Sequence, residues 1–197
     1  MIELGPATED EMILAFLQGE IDSPRFGNAY NVILRNSGLD RTAIAGPDLQ
    51  SARENYIRHE LLRVVRGYGD DSFLFQGFPA DLTWRRVQLD AGDYQRLRYA
   101  NHDTWVNFSG GSRVVSDGAR NIALITATED ANTNIRAVAA ALQAGIRYAP
   151  LIAVDGPSGS MILIEGHTRA TAYVIECFEP FEVIIGSSPV MNNWALY

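Results

Sequence analysis

The hydrophobic positions of the chain change their spacing near residue 83, and each spacing predicts a different kind of element. Over residues 9–19, Met12, Ile13, Phe16 and Leu17 recur at helical intervals, so a helix ending at Gly19 is expected. The following stretch, rich in Gly, Asn, Ser and Asp, reads as a loop anchored by Val32, Ile33, Leu34 and Ile44. Pro47 and Asp48 open a second helix to Arg66, with Tyr56, Ile57, Leu61, Val64 and Val65 on its apolar face and Gly67 as its stop. Residues 67–82 carry turn chemistry around Phe73-Leu74-Phe75. That stretch divides a helical N-terminal region, 1–82, from a second domain, 83–197.

Past residue 83, strands alternate with helices. Residues 84–89 partly alternate and read as a strand, and a helical or turn segment holds Tyr94 and Leu97. Residues 105–113 read as a loop, and Ser116-Asp117 caps a short helix through Leu124. Asn132 caps an amphipathic helix showing Ile135, Val138, Ala139 and Leu142 on one face and closing at Gly145. Residues 148–155 and 161–165 form a hairpin, a helix runs from the 166–169 turn through Cys177 to a stop at Pro180, and residues 181–185 give a last strand. The expected class is α/β (α+β). Its sheet is small and mixed, because a hairpin stands where a doubly wound fold would have a crossover. A helical N-terminal extension precedes it.

Composition narrows the function. With 197 residues, 47% hydrophobic and 20% charged, the chain is neither a disordered tail nor a coiled-coil rod. Its longest uncharged stretch, 183–197, is interrupted by Gly, Ser, Pro and Asn and is too short for a membrane helix of about 20 residues. The N-terminus lacks the order of a signal peptide, and the single Cys177 cannot close an internal disulfide. A cytoplasmic protein without membrane contact is expected. All 16 basic residues are Arg, against 24 acids, for a net charge of −8. The absence of Lys excludes a P-loop lysine, a Schiff-base lysine and a kinase-type strand lysine. Residues 1–82 carry −6 and residues 83–197 carry −2. Neither half has the basic excess that non-specific DNA binding uses.

The chemistry concentrates at Glu165-Gly166-His167-Thr168-Arg169, between the hairpin and a helix. Gly166 permits a sharp turn, Thr168 can cap the helix, and Arg169 falls in its first turn. Amide groups at a helix N-terminus beside an Arg fork suit a phosphate, and Glu165 could hold magnesium or accept a proton. On residue types alone the plainer alternative comes first: Glu165 and Arg169 pair with each other, and His167 decorates the turn.

The run Gly166-His-Thr-Arg-Ala-Thr-Ala172 after a hairpin resembles the ParB/sulfiredoxin-like superfamily, over about residues 83–188. The resemblance implies a nucleotide-binding turn: ATP in sulfiredoxins, CTP in chromosome-partitioning ParB proteins, adenine nucleotide in free-serine kinases. Gly166 and Arg169 match the fixed positions of the motif, His167 and Thr168 its variable pair, and Ala172 its small helical residue. Glu165 and His167 look like the acid and the histidine flanking the Gly in the kinases. The implied assignment is Glu165 and His167 as catalytic residues, with Gly166, His167, Thr168 and Arg169 binding ATP or CTP. Glu165 would carry the magnesium. The implied function is a phosphate-binding ParB-like protein acting as a small-molecule kinase or nucleotide hydrolase. The alternative is a non-catalytic ParB-like module for DNA processing or protein interaction. Its partners would be a nucleotide with a small-molecule acceptor, or a protein. The chain departs from sulfiredoxins, because their catalytic Cys falls on His167 and Cys177 lies ten residues further on. It also has a single Arg in the turn, where ParB proteins are richer.

Other candidates carry plainer readings. His59, His102 and His167 are scattered, Asp70-Asp71 sits in a Gly-rich turn, and Ser109-Gly-Gly-Ser-Arg113 is either a phosphate cradle or a flexible loop. Trp84, Trp105 and Trp194 are expected as core or interface anchors.

Overall fold

The computed structural model describes residues 1–122 and 129–197, in which two helical layers enclose a mixed sheet. Strand β1 (Ile2–Ala7) leads into α1 (Glu9–Glu20), α2 (Gly27–Asn36), the short α3 (Thr42–Ala45) and α4 (Ala52–Arg66). Then come β2 (Thr83–Leu89), β3 (Leu97–Arg98), α5 (Asp103–Phe108), α6 (Val115–Asn121) and α7 (Glu129–Gln143). The chain closes with β4 (Leu151–Asp155), β5 (Met161–Glu165), α8 (His167–Ile175) and β6 (Phe181–Ser187). The strand order is β1-β2-β6-β4-β5-β3. β1 and β2, β2 and β6, and β4 and β5 are antiparallel, whereas β4 and β6, and β3 and β5, run parallel. This is the mixed α/β sheet the sequence predicts, with its β4–β5 hairpin lying between β6 and the short edge strand β3.

The central strands are apolar at nearly every position because both of their faces are covered. Ile152, Val154, Ile162, Ile164 and Ile184 pack with Met12, Phe16, Tyr30 and Leu61 of the N-terminal helices. Leu151, Ala153, Leu163, Val183 and Ile185 face the opposite way, toward Ile135, Leu142, Ala170 and Tyr173 of α7 and α8. Residues 9–66 thus form one layer of the fold, and β1 joins the sheet at its edge by pairing with β2. Among the described residues, no helix is long and apolar enough to cross a membrane.

Several local expectations are corrected. Residues 27–36 form α2, because Tyr30 and Leu34 fit one buried face. α4 turns Leu61, Leu62 and Arg58 inward, leaving Tyr56 and Val64 exposed. Residues 103–108 are helical, begun by His102, whose Nδ1 accepts the Thr104 N–H at 3.3 Å. Asn132 lies within α7. Leu124, the expected end of the preceding helix, lies outside the described residues. Cys177 is an exposed residue just past α8 with φ +48, outside the helix. The Phe178 N–H bonds the Tyr173 carbonyl at 2.8 Å, so this left-handed cap ends α8 before Pro180 is reached.

Candidate functional site

At the end of β5 the chain must reverse into α8 within a single residue. Gly166 does this with φ +98, and a Cβ there would lie 2.4 Å from Leu151 Cδ2, so conformation and space both demand glycine. Gly166 is also the N-cap of α8, and it makes no side-chain cap hydrogen bond. Thr168 therefore sits inside the first turn instead of capping it. The first amide N–H groups of α8 are left without a side-chain acceptor, the arrangement that favours an anion.

Arg169 turns inward. Its Nη2 donates to Glu165 Oε2, and its Nη1 donates to the Ala149 carbonyl and, at 3.4 Å, to the Pro150 carbonyl. The residue is only 6% exposed, so its guanidinium serves the turn and the approach to β4. Gly19 of α1 packs directly on the pair: a Cβ at Gly19 would stand 2.7 Å from Arg169 Nη2 and 3.0 Å from Glu165 Cδ. Next to Gly19, Glu20 is buried, accepts from the Tyr30 hydroxyl at 2.7 Å, and lies 3.4 Å from Arg66 Nε. Burial pushes the Glu20 carboxyl up to about 7, and the Glu165 charge adds to this. Arg66 and the Tyr30 hydrogen bond pull the other way.

His167 lies on the other side of the turn. Its ring stacks on Trp105 at 5.1 Å and on Tyr99 at 6.0 Å, and its Nε2 accepts the Ala100 N–H at 3.3 Å, which places the ring proton on Nδ1. Burial lowers its pKa to about 3, reinforced by the charges of His102, Arg66, Arg113 and Arg169. His167 is therefore neutral at pH 7.

The structure thus gathers Glu165, Gly166, His167, Thr168 and Arg169 at one turn, with Arg169 held inward. It adds three partners that sequence reasoning missed. Glu20 and Arg66 arrive from another layer of the fold, and nothing local signals them except an acid at the end of an apolar helix. Of the three Trp expected as core or interface anchors, Trp105 is partly exposed and is the ring beside His167, and Trp84 and Trp194 are buried. The other candidates are engaged elsewhere: His59 lies against Asp10 at 3.1 Å, Asp70 pairs with Arg63 at 2.7 Å, and Asp71 accepts the Gly77 N–H. The 109–113 segment is bonded into a tight turn, with the Arg113 N–H donating to Ser109 Oγ at 2.9 Å. No three His, Cys, Asp or Glu side chains gather around a possible metal position among the described residues. No family model, curated protein or solved structure matches this chain.

Proposed function

We propose that this chain is a ParB/sulfiredoxin-like protein that binds a nucleotide, ATP or CTP, through its phosphates at the 166–169 turn. One observation carries the reading. An uncapped helix N-terminus, opened by a left-handed glycine, presents its first amide N–H groups without a side-chain acceptor. The passage from hairpin through glycine turn and helix to a strand parallel with β4 supports it, and Trp105 offers a ring for a base. The phosphate contacts come from the α8 amides, while Arg169 positions the turn.

Magnesium does not fit this donor set. The Glu165 carboxylate is engaged by Arg169 and covered by Gly19, and no metal-holding group of side chains exists among the described residues. No step is derived through the ion. A kinase or hydrolase reaction would first require Glu165 to leave Arg169. The closed pair favours nucleotide binding without phosphoryl transfer over a kinase or hydrolase.

Thr168→Glu tests the binding. A carboxylate in the first turn suits the helix dipole, so α8 should hold, while a phosphate should be repelled. ATP and CTP, each added with and without magnesium, should raise the melting temperature of the wild type, and the variant should bind at least about tenfold more weakly. If neither nucleotide shifts the wild type, the module reading replaces this one.

A further inference from the structure

A second cationic feature lies away from the Gly166 turn. At the hairpin end of β5, on the far side of the strand from Gly166, an open hollow of about 330 Å³ is lined by Arg98, Ser112, Arg113, Ser158, Ser160 and Tyr197. Arg98 is the second residue of β3 and pairs in register with Ile162. Its Nη1 donates to the Ser112 carbonyl at 3.1 Å. The Arg113 guanidinium is fixed by three main-chain oxygens: Tyr99 at 2.9 Å, Tyr197 at 2.9 Å and Leu196 at 3.4 Å. No Asp or Glu side chain is paired with either Arg among the described residues. Asp117, which feels the charge of Arg98, is paired with Arg120.

We propose that this hollow is a second anion site, which takes the phosphate group of a small phosphate ester between the Arg98 and Arg113 guanidiniums. Two guanidiniums lining one hollow offer more donors to a dianionic phosphate than to a single carboxylate. The volume, at the low end for small-molecule sites, fits a phosphate with a small organic group. Ser158, exposed at the hairpin tip, supplies a hydroxyl donor. Two non-glycine residues of the hollow are held in the left-handed region, Arg113 at φ +62 and Ser158 at φ +56. Such backbone costs free energy and persists at ligand clamps because it aims groups at a common point. Burial and the adjacent Arg98 lower the pKa of Arg113, which an anion between the two would relieve.

The test is a site-resolved NMR titration of the full chain with inorganic phosphate, against sodium chloride at equal ionic strength. Saturable shifts are expected at the amides of Ser112, Arg113, Ser158 and Gly159. Arg98→Gln, which leaves the Arg113 anchors in place, should weaken them roughly tenfold. Ser158→Gly keeps the left-handed turn, removes the hydroxyl, and should weaken them several-fold. Equal binding in Arg98→Gln, an identical response to chloride, or shifts confined to His167 and Thr168 would each overturn the proposal. The last result would leave the nucleotide reading of the turn standing.

Discussion

Arg169 closes on Glu165 across Gly166, four residues back along the chain, and Gly19 of α1 packs directly against both side chains. The two residues expected to share a ligand's phosphate and its metal are instead bonded to each other. The consequence is that the strongest charge at the turn acts on the fold.

Breaking that pair should therefore be expensive whether or not a ligand is present. Arg169→Ala should destabilise the protein by about 3–5 kcal/mol, because it leaves the Glu165 carboxylate half-buried and uncompensated. The double replacement Glu165→Leu with Arg169→Met should cost less than the single one. Urea midpoints measure both, and equal stability of Arg169→Ala and the wild type would show the pair to be incidental.

Gly19→Ala reverses an ordinary rule. Within a helix this change normally gains up to about 1 kcal/mol. Here the added methyl would meet Arg169 Nη2 at 2.7 Å, so a loss of about 1–3 kcal/mol is expected from overpacking. A raised melting temperature would mean that the ion pair yields easily.

Two buried titrations at the site oppose each other. The folded protein holds a proton on Glu20 up to about 7 that an ordinary carboxyl releases near 4.5, so its contribution to stability falls as pH rises through that window. His167, lowered from 6.5 to about 3, remains neutral where the unfolded chain takes up a proton, so its contribution is lost as pH falls through that range. Between 4.5 and 6.5 the two slopes cancel in the wild type. Glu20→Gln should uncover the His167 slope of about 1.4 kcal/mol per pH unit. Denaturation midpoints from pH 3 to 8 decide this, and a variant as flat as the wild type would refute it.

Cys177→Gly should stabilise the chain by about 1 kcal/mol, since glycine adopts the left-handed cap of α8 without the Cβ clash. The thiol is exposed and free, so little packing is lost. Thermal unfolding under reducing conditions gives the sign directly.

The hairpin, the glycine turn, α8 and β6 were legible because each is written in neighbouring residues. Apolar runs of strand length flank a turn, Gly166 allows the reversal, and small residues follow at helical spacing. β1 was not legible: Ile2-Glu-Leu-Gly-Pro-Ala has a Gly and a Pro and no strand pattern, and it is extended because β2 offers it a ladder. α5 was missed because its six residues are too few to show a period, and its start depends on the His102 side chain.

At the candidate site, sequence alone determined which residues lie together at the turn and that Gly166 permits it, since those facts are local, whereas the approach of Leu151 that bars any Cβ there came from packing. Only the tertiary structure decided which way Arg169 faces, how Glu20 and His167 titrate, and which ring lies beside the turn. Those outcomes depend on Gly19, Arg66 and Trp105, which reach the turn only when α1, α4 and α5 pack around the sheet. Local spacing carries no information about the burial and field that such packing creates.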